Sequence, residues 1–210
     1  MRGVAEVSPA AVDAAASALS AVTGFAASSR VRLQGTHAVL TYGLDRSEVE
    51  RRRLVGLGAV TSPGALRLLL GLPIGVPVPM TRLGRGERAA LRSAPRGVVR
   101  VEAGSVIRLA VPPVEVGLAM VPARSWRQGL ELAGRFAPFC SRAMVLRRRP
   151  RDLDVLRMEA DFYGIGVIVA DEAEPEIVVP PQPFERRRFT AAGWLFLEET
   201  YQQVALAEGR

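Results

Sequence analysis

Arginine is the residue most able to do chemistry in this sequence. The 210 residues carry 28 cationic side chains against 21 acidic ones, a net charge of +7 and a pI near 11. All 28 are arginines; lysine and asparagine are absent, partly a codon effect of a GC-rich genome. A guanidinium clamps phosphate through two parallel donors, and a basic balance of this size favours an anionic partner, of which nucleic acid is the commonest. The arginines cluster at Arg51–Arg53, at Arg147, Arg148 and Arg149 with Arg151, and at Arg186, Arg187 and Arg188; Arg82, Arg85 and Arg88 form a looser group. If such groups converge on one face they neutralise backbone phosphates, and affinity falls steeply with salt. The run Arg147–Arg149 closes a strand, and ligand sites gather at strand ends in α/β proteins. Few aromatics accompany the arginines, which argues against recognition of single strands by base stacking. The expected partner is double-stranded DNA.

Other reactive residues are isolated. His37 is the sole histidine and Cys140 the sole cysteine. A histidine in a strand far from any carboxylate reads as structural, and a cysteine at the end of an apolar helix reads as a buried, inert thiol. No disulfide framework or zinc-ligand spacing is present. Gly164 and Gly166 follow a helix and precede a strand, the wrong order for a phosphate-cradling loop. No signal peptide is visible. The apolar run Ala65–Met80 is short and broken by Pro73, Pro77 and Pro79, so it cannot span a membrane. A cytoplasmic protein of bacterial type is expected, with no membrane partner.

The elements that position these residues follow from periodicity and punctuation. Ser8-Pro9 opens a helix to about Val22. Val31–Leu33 and Ala38–Leu40 read as short strands joined through Gly35. Asp45 caps a helix at Ser47–Leu57 with Val49, Leu54 and Val55 on one side, and Ser62-Pro63 starts another at Ala65–Leu72. The pair reads as core-forming rather than as a helix-turn-helix, because the second is too apolar to present a reading face. The Pro- and Gly-rich stretch Gly71–Met80 suggests a boundary. It divides residues 1–80, mainly helical with a short hairpin and winged-helix-like, from residues 81–210, an α/β domain with a C-terminal helix. In the second part Arg85–Ser93 reads as helix. Val98–Glu102 and Ser105–Val111 read as strands turning at Ala103-Gly104, and Val114–Val121 alternates cleanly as a third. Ser125 caps a helix to about Pro138 with a stripe of Trp126, Leu130, Ala133 and Ala137. Arg142–Leu146 is a strand, Asp152 caps a helix ended by Gly164, and Ile165–Ala170 is a buried strand. Ile177–Val179 reads as an edge strand and Phe184–Ala207 as a final helix. The fold class is therefore α/β (α+β), a mixed central sheet flanked by helices.

The order helix–strand–strand–strand–helix–strand from Arg85 to Leu146 resembles the core of the PD-(D/E)XK, or restriction-endonuclease-like, superfamily. The join Phe139-Cys140-Ser141-Arg142 and the stretch Gly164–Asp171 also resemble its small members. The resemblance implies metal-assisted phosphodiester cleavage, in which an Asp at the start of the second strand and the acid of (D/E)-X-K on the third hold the metal, and the Lys orients the attacking water. The acid maps to Glu115, the Lys position is Gly117, and the Asp position falls near Ser105, with Glu102 and Glu87 as carboxylates able to approach. The leading expectation is a DNA-binding protein whose nuclease-like domain has lost its catalytic set and serves in binding or assembly, with no cofactor. One alternative is an active nuclease holding Mg2+ or Mn2+ on Glu87, Glu102 and Glu115. The other is a protein–protein adaptor or antitoxin-like regulator, with a protein partner or a second copy of the chain.

Overall fold

The computed structural model describes residues 7–25, 27–170 and 174–208. Its helices are α1 (Pro9–Thr23), α2 (Arg46–Val55), α3 (Pro63–Gly71), α4 (Arg85–Ser93), α5 (Trp126–Gly134), α6 (Leu153–Phe162) and α7 (Ala191–Glu208). Its strands are β1 (Ala27–Leu33), β2 (Thr36–Leu44), β3 (Pro77–Pro79), β4 (Val99–Glu102), β5 (Ser105–Arg108), β6 (Val114–Ala123), β7 (Ser141–Leu146), β8 (Gly166–Val169) and β9 (Glu176–Val179). The class is mixed α/β, as the sequence implies. Asp171, the last residue of the Gly164–Asp171 motif, lies outside the described residues.

The chain divides into two compact units, each assembled from two separate stretches: residues 1–43 with 116–186, and residues 44–115 with 187–210. The Gly71–Met80 boundary suggested by composition falls inside the second of these.

The first unit carries a six-stranded sheet in the order β1-β2-β6-β7-β8-β9. β1 and β2 form an antiparallel hairpin, β6, β7 and β8 run parallel, and β9 closes the edge antiparallel to β8. Ser8 caps α1, its Oγ accepting from the amide of Ala11 at 3.2 Å. The alanine-rich face of α1, with Val12 and Leu19, packs on Val39, Leu118, Met120, Ala143, Val145 and Ile168. The opposite residues of β7 meet α5. A Cβ on Gly129 would lie 2.7 Å from the Met144 sulfur and 3.0 Å from its Cβ, so only glycine lets α5 sit this close. The buried face of α5 is Trp126, Gly129 and Ala133, continued by Phe136; the helix stops at Gly134 rather than near Pro138. Trp126 Nε1 donates to the Asp152 carboxylate at 3.0 and 3.1 Å, and Asp152 makes no side-chain cap to α6. Its expected capping role is replaced by an anchor between two helices.

The second unit holds a three-stranded antiparallel sheet in the order β3-β5-β4. Ala103 and Gly104 turn the β4–β5 hairpin with φ of 47° and 72°, as expected. The strand assignment drawn from the resemblance is overturned here. β4 and β5 pair with each other and with β3, while β6 lies in the other sheet between β2 and β7. Pro112-Pro113 separates β5 from β6 and ends the pairing. The final helix begins at Ala191, not Phe184.

Helix α2 departs furthest from expectation. Leu54 and Val55 are exposed, at 72% and 49%, and the buried residues are Glu48 and Arg52. Arg52 is wholly inside. Its Nε donates to Glu48 Oε1 at 2.7 Å, and Nη1 and Nη2 donate to the two oxygens of Glu198 on α7 at 2.7 and 2.8 Å. Nη2 also donates to the Val111 carbonyl at 2.9 Å. Glu198 further accepts from the Val60 amide at 2.8 Å and Trp194 Nε1 at 2.9 Å. Burial pulls the Arg52 pKa down, but its bonds to Glu198 and Glu48 prevail and hold it above its ordinary value.

Removing one partner leaves a buried charge uncompensated. Glu198→Leu alone is expected to cost about 3–5 kcal/mol, and Arg52→Met/Glu198→Leu much less than the sum of its single changes, measured by denaturant unfolding. Additive costs would contradict the pairing. Burial pushes the Glu48 carboxyl up, but the hydrogen bonds from Arg51 and Arg52 outweigh it and hold the group below its ordinary 4.5. Its contribution is therefore complete above pH 4.5 and lost as pH falls through the lowered value. Unfolding titrations are expected to show a smaller loss on acidification for Glu48→Gln than for the parent; an equal loss would contradict this.

Candidate nucleic-acid interface

The second unit presents a short basic helix followed by a hairpin. Gly84 opens α4, and Glu87 reaches back to accept from its amide at 2.7 Å. No residue of α4 is fully buried. Ala90 and Leu91 rest on a cluster of Leu68, Leu72, Leu83 and Val106, which faces the helix toward α3 and β5. The opposite face carries Arg85, Arg88 and Arg92, all exposed, at spacings of three and four that keep them on one side; Arg96, also exposed, follows the helix beyond the extended Ala94 and Pro95. Between them stand Gly86, Ala89 and Ser93, exposed and small. Arg82 precedes the helix on a 3-10 turn and Arg100 follows on β4, both exposed. Arg88 is partly tethered, its Nε donating to the Leu83 carbonyl at 2.9 Å. From Arg82 to Glu102 there are six arginines and two glutamates, and no aromatic residue. One glutamate, Glu87, is occupied as the cap; the other, Glu102, lies 3.3 Å from Arg100.

The base of this surface is apolar and rigid. Leu57, Val60, Leu66, Leu69, Val98 and Trp194 form one cluster. Arg108 spans its edge, donating to the carbonyls of Leu69 at 2.8 Å and Ala110 at 3.0 Å, with its guanidinium 4.6 Å from the Trp194 ring centroid. Helix α3 thus holds α4 on one side and α7 on the other.

The other arginines singled out from the sequence lie on other stretches of the chain. Arg147, Arg148, Arg149 and Arg151 follow β7 in the first unit; Arg147 is half-buried, the others are exposed, and Arg149 pairs with Glu176 on β9. Arg186, Arg187 and Arg188 lie in a stretch without helix or strand, and the Arg186 guanidinium stands 5.6 Å from the Phe184 ring centroid. Arg52, read from the sequence as part of a basic run, is interior. Arg92, Arg96 and Arg100 were not among the residues singled out from the sequence; the spacing 85, 88, 92 was the signal for the first of them.

The carboxylates do not gather. Among the described residues no three of His, Cys, Asp and Glu form a group able to hold a metal ion. Glu87 is a helix cap, Glu102 belongs to the hairpin, and Glu115 is exposed at the start of β6. Glu87, Glu102 and Glu115 do not form such a group. Strand β2 of the large sheet, Thr36–Leu44, contains no carboxylate, and Asp13 on α1 pairs with Arg30. Cys140 is fully buried and its thiol is pushed up to about 12 by that burial, matching the inert reading. No family model matches the chain, and no curated protein or solved structure gives a significant match.

A cap tolerates an uncharged acceptor, and a metal ligand does not. Glu87→Gln is expected to unfold within about 0.5 kcal/mol of the parent and Glu87→Ala to lose about 0.5–1 kcal/mol, by thermal denaturation. Equal losses in both variants would contradict the capping role.

Proposed function

We propose that this protein binds double-stranded DNA, with α4 entering the major groove and the β4–β5 hairpin lying along the adjacent backbone. The observation that carries this reading is the exposed helical row Arg85, Arg88 and Arg92 with only small side chains between. Nine residues make a rod about 13 Å long and about 10–12 Å wide, matched to a groove of about 12 Å. Gly86, Ala89 and Ser93 allow close approach to base edges while the arginines reach guanines and phosphates. A helix before an antiparallel hairpin in a sheet ordered β3-β5-β4 is the arrangement of a winged helix. The A-form major groove of RNA is too narrow for such a helix, and the absence of aromatics disfavours single strands.

The large sheet contributes a nuclease-like frame without chemistry. Taken without the excursion between β2 and β6, the order α1, β1, β2, β6, α5, β7 repeats the helix–strand–strand–strand–helix–strand sequence of the PD-(D/E)XK core, with β1, β2, β6 and β7 adjacent. In this frame β6 remains the third strand, bearing Glu115 and Gly117, and the second strand has no acid. A binding or assembly role follows in place of cleavage. Its assembly side is supported by α6, where Val155, Met158 and Phe162 form an exposed row, Met158 at 68% and Phe162 at 80%.

Fluorescence anisotropy on a duplex of about 20 base pairs tests the reading. Affinity is expected to fall steeply with salt, and Arg85→Ala/Arg88→Ala/Arg92→Ala to reduce the log–log slope by about 2–3. Absence of low-salt binding would overturn the proposal. So would a slope that responds to Arg147→Ala/Arg148→Ala/Arg149→Ala and not to the α4 triple.

A further inference from the structure

A groove of about 520 Å3 lies between α5 and α6 in the first unit, lined by four charged side chains, Arg127, Glu131, Arg142 and Glu159. Two of the four are engaged. Glu131 pairs with Arg135 at 2.7 Å, and Arg127 lies 3.7 Å from Asp152 with its guanidinium 4.1 Å from the Trp126 ring centroid. The other two are unmatched. Arg142 on β7 gives Nη2 to the Tyr163 carbonyl, its Nε is buried with no hydrogen-bond partner, and its Nη1 meets none among the described residues. Partial burial pulls the Arg142 pKa below its ordinary value, opposed by the Cys140 thiol and by no carboxylate. The Glu159 carboxylate has no hydrogen bond or ion pair among the described residues, so the two opposite charges do not meet each other either. Glu159 stands one helical turn, about 5.4 Å of rise, before the residue that holds Arg142, the Tyr163 amide donating to the Glu159 carbonyl at 3.0 Å. The remaining lining is apolar or aromatic, with Leu130 and Ala137 from α5, Ile165, and Tyr163, whose ring meets Phe162 edge-on at 5.0 Å.

We propose that this groove binds a free α-amino acid with an apolar side chain, its carboxylate on Arg142 and its ammonium on Glu159. Charge complementarity selects this ligand. A bare anion leaves Glu159 unmatched, and a dianion such as a phosphate ester meets two lining carboxylates. A bare cation leaves Arg142 unmatched. A zwitterion satisfies both, and its two charged ends, about 2.5 Å apart through the α-carbon, bridge groups that stand too far apart to pair directly. A peptide of any length separates the two ends, so only the free amino acid presents them together. A volume of this size suits a small ligand, and Leu130, Ala137 and Ile165 accommodate its side chain. The groove lies in the first unit and α4 in the second, and the inference stands whether or not α4 binds DNA.

Calorimetric titration of the full chain with L-leucine and L-phenylalanine, and with the N-acetyl and amide derivatives of whichever binds more tightly, separates the outcomes. The free amino acid is expected to bind at least about tenfold more tightly than either derivative, because each derivative loses one charged contact. Glu159→Gln removes the partner of the ammonium alone. In that variant the penalty for acetylation is expected to shrink to within about twofold, while the penalty for amidation persists. Amide shifts in the unaltered protein give a readout independent of the variant's folding; on amino-acid addition they are expected at residues 130–137 and 159–165. Equal binding of the free and derivatised forms overturns the proposal, as does an acetylation penalty that persists in Glu159→Gln. Shifts located elsewhere, or no binding of either amino acid at about 10 mM, overturn it too.

Discussion

The bidentate pair between Arg52 and Glu198 is the interaction on which the second unit depends. It joins residues 146 positions apart, both fully buried, and closes a unit made from an internal excursion and the C-terminal helix. A buried ion pair contributes little net stability over an apolar replacement, because desolvation offsets the attraction. Its value is specificity: Glu48 on the same helix meets only part of the Arg52 guanidinium, and the Glu198 charge finds it only when α7 docks in one register on α2. The same helix turn delivers Trp194, whose indole donates to Glu198 and lies under Arg108. Arg108 in turn holds the last carbonyls of α3, against which α4 packs. A chain of charge, ring and carbonyl thus runs from the C-terminal helix to the base of the basic helix.

That chain holds in place a nine-residue helix without a fully buried side chain, the helix proposed here as the binding surface. An isolated helix of this length is marginal in water. Here the Glu87 cap fixes its first turn, Ala90 and Leu91 seat it, and Arg88 fastens it to the preceding carbonyl of Leu83. Its outer face is left to charge and small residues. Holding cationic side chains on a preorganised helix lowers the ordering cost of binding, and their number sets the salt response.

Much of the first unit was legible in the sequence. The alternation of Val114, Val116, Leu118 and Met120 marked β6 as a strand, though Ala119 and Val121 on its other side are buried as well, and the unbroken apolar run at Ile165–Ala170 marked an interior strand. Ser8, Asp45 and Ser62 each cap the helix they precede. The strand neighbours were not legible, because pairing across a long excursion leaves no local signal. β4 and β5 precede β6 directly, and adjacency in sequence suggested adjacency in space; Pro112-Pro113 was the sign of a break. The interior of α2 was hidden for a different reason. Period counting assigns burial to Val49, Leu54 and Val55, whereas Glu48 and Arg52 are inside because a partner 146 residues away neutralises them. Within the candidate surface Arg85 and Arg88 were identified by charge, and Arg100 only becomes part of it once the hairpin is known to follow α4.

Hydrogen exchange of the full chain, free and with a duplex at low salt, locates the contacted surface. Slowed exchange is expected over residues 82–104, covering α4 and the hairpin, with the six-stranded sheet unchanged. Protection confined to the segment after β7 around Arg147–Arg151, with α4 exchanging as in the free protein, would contradict it.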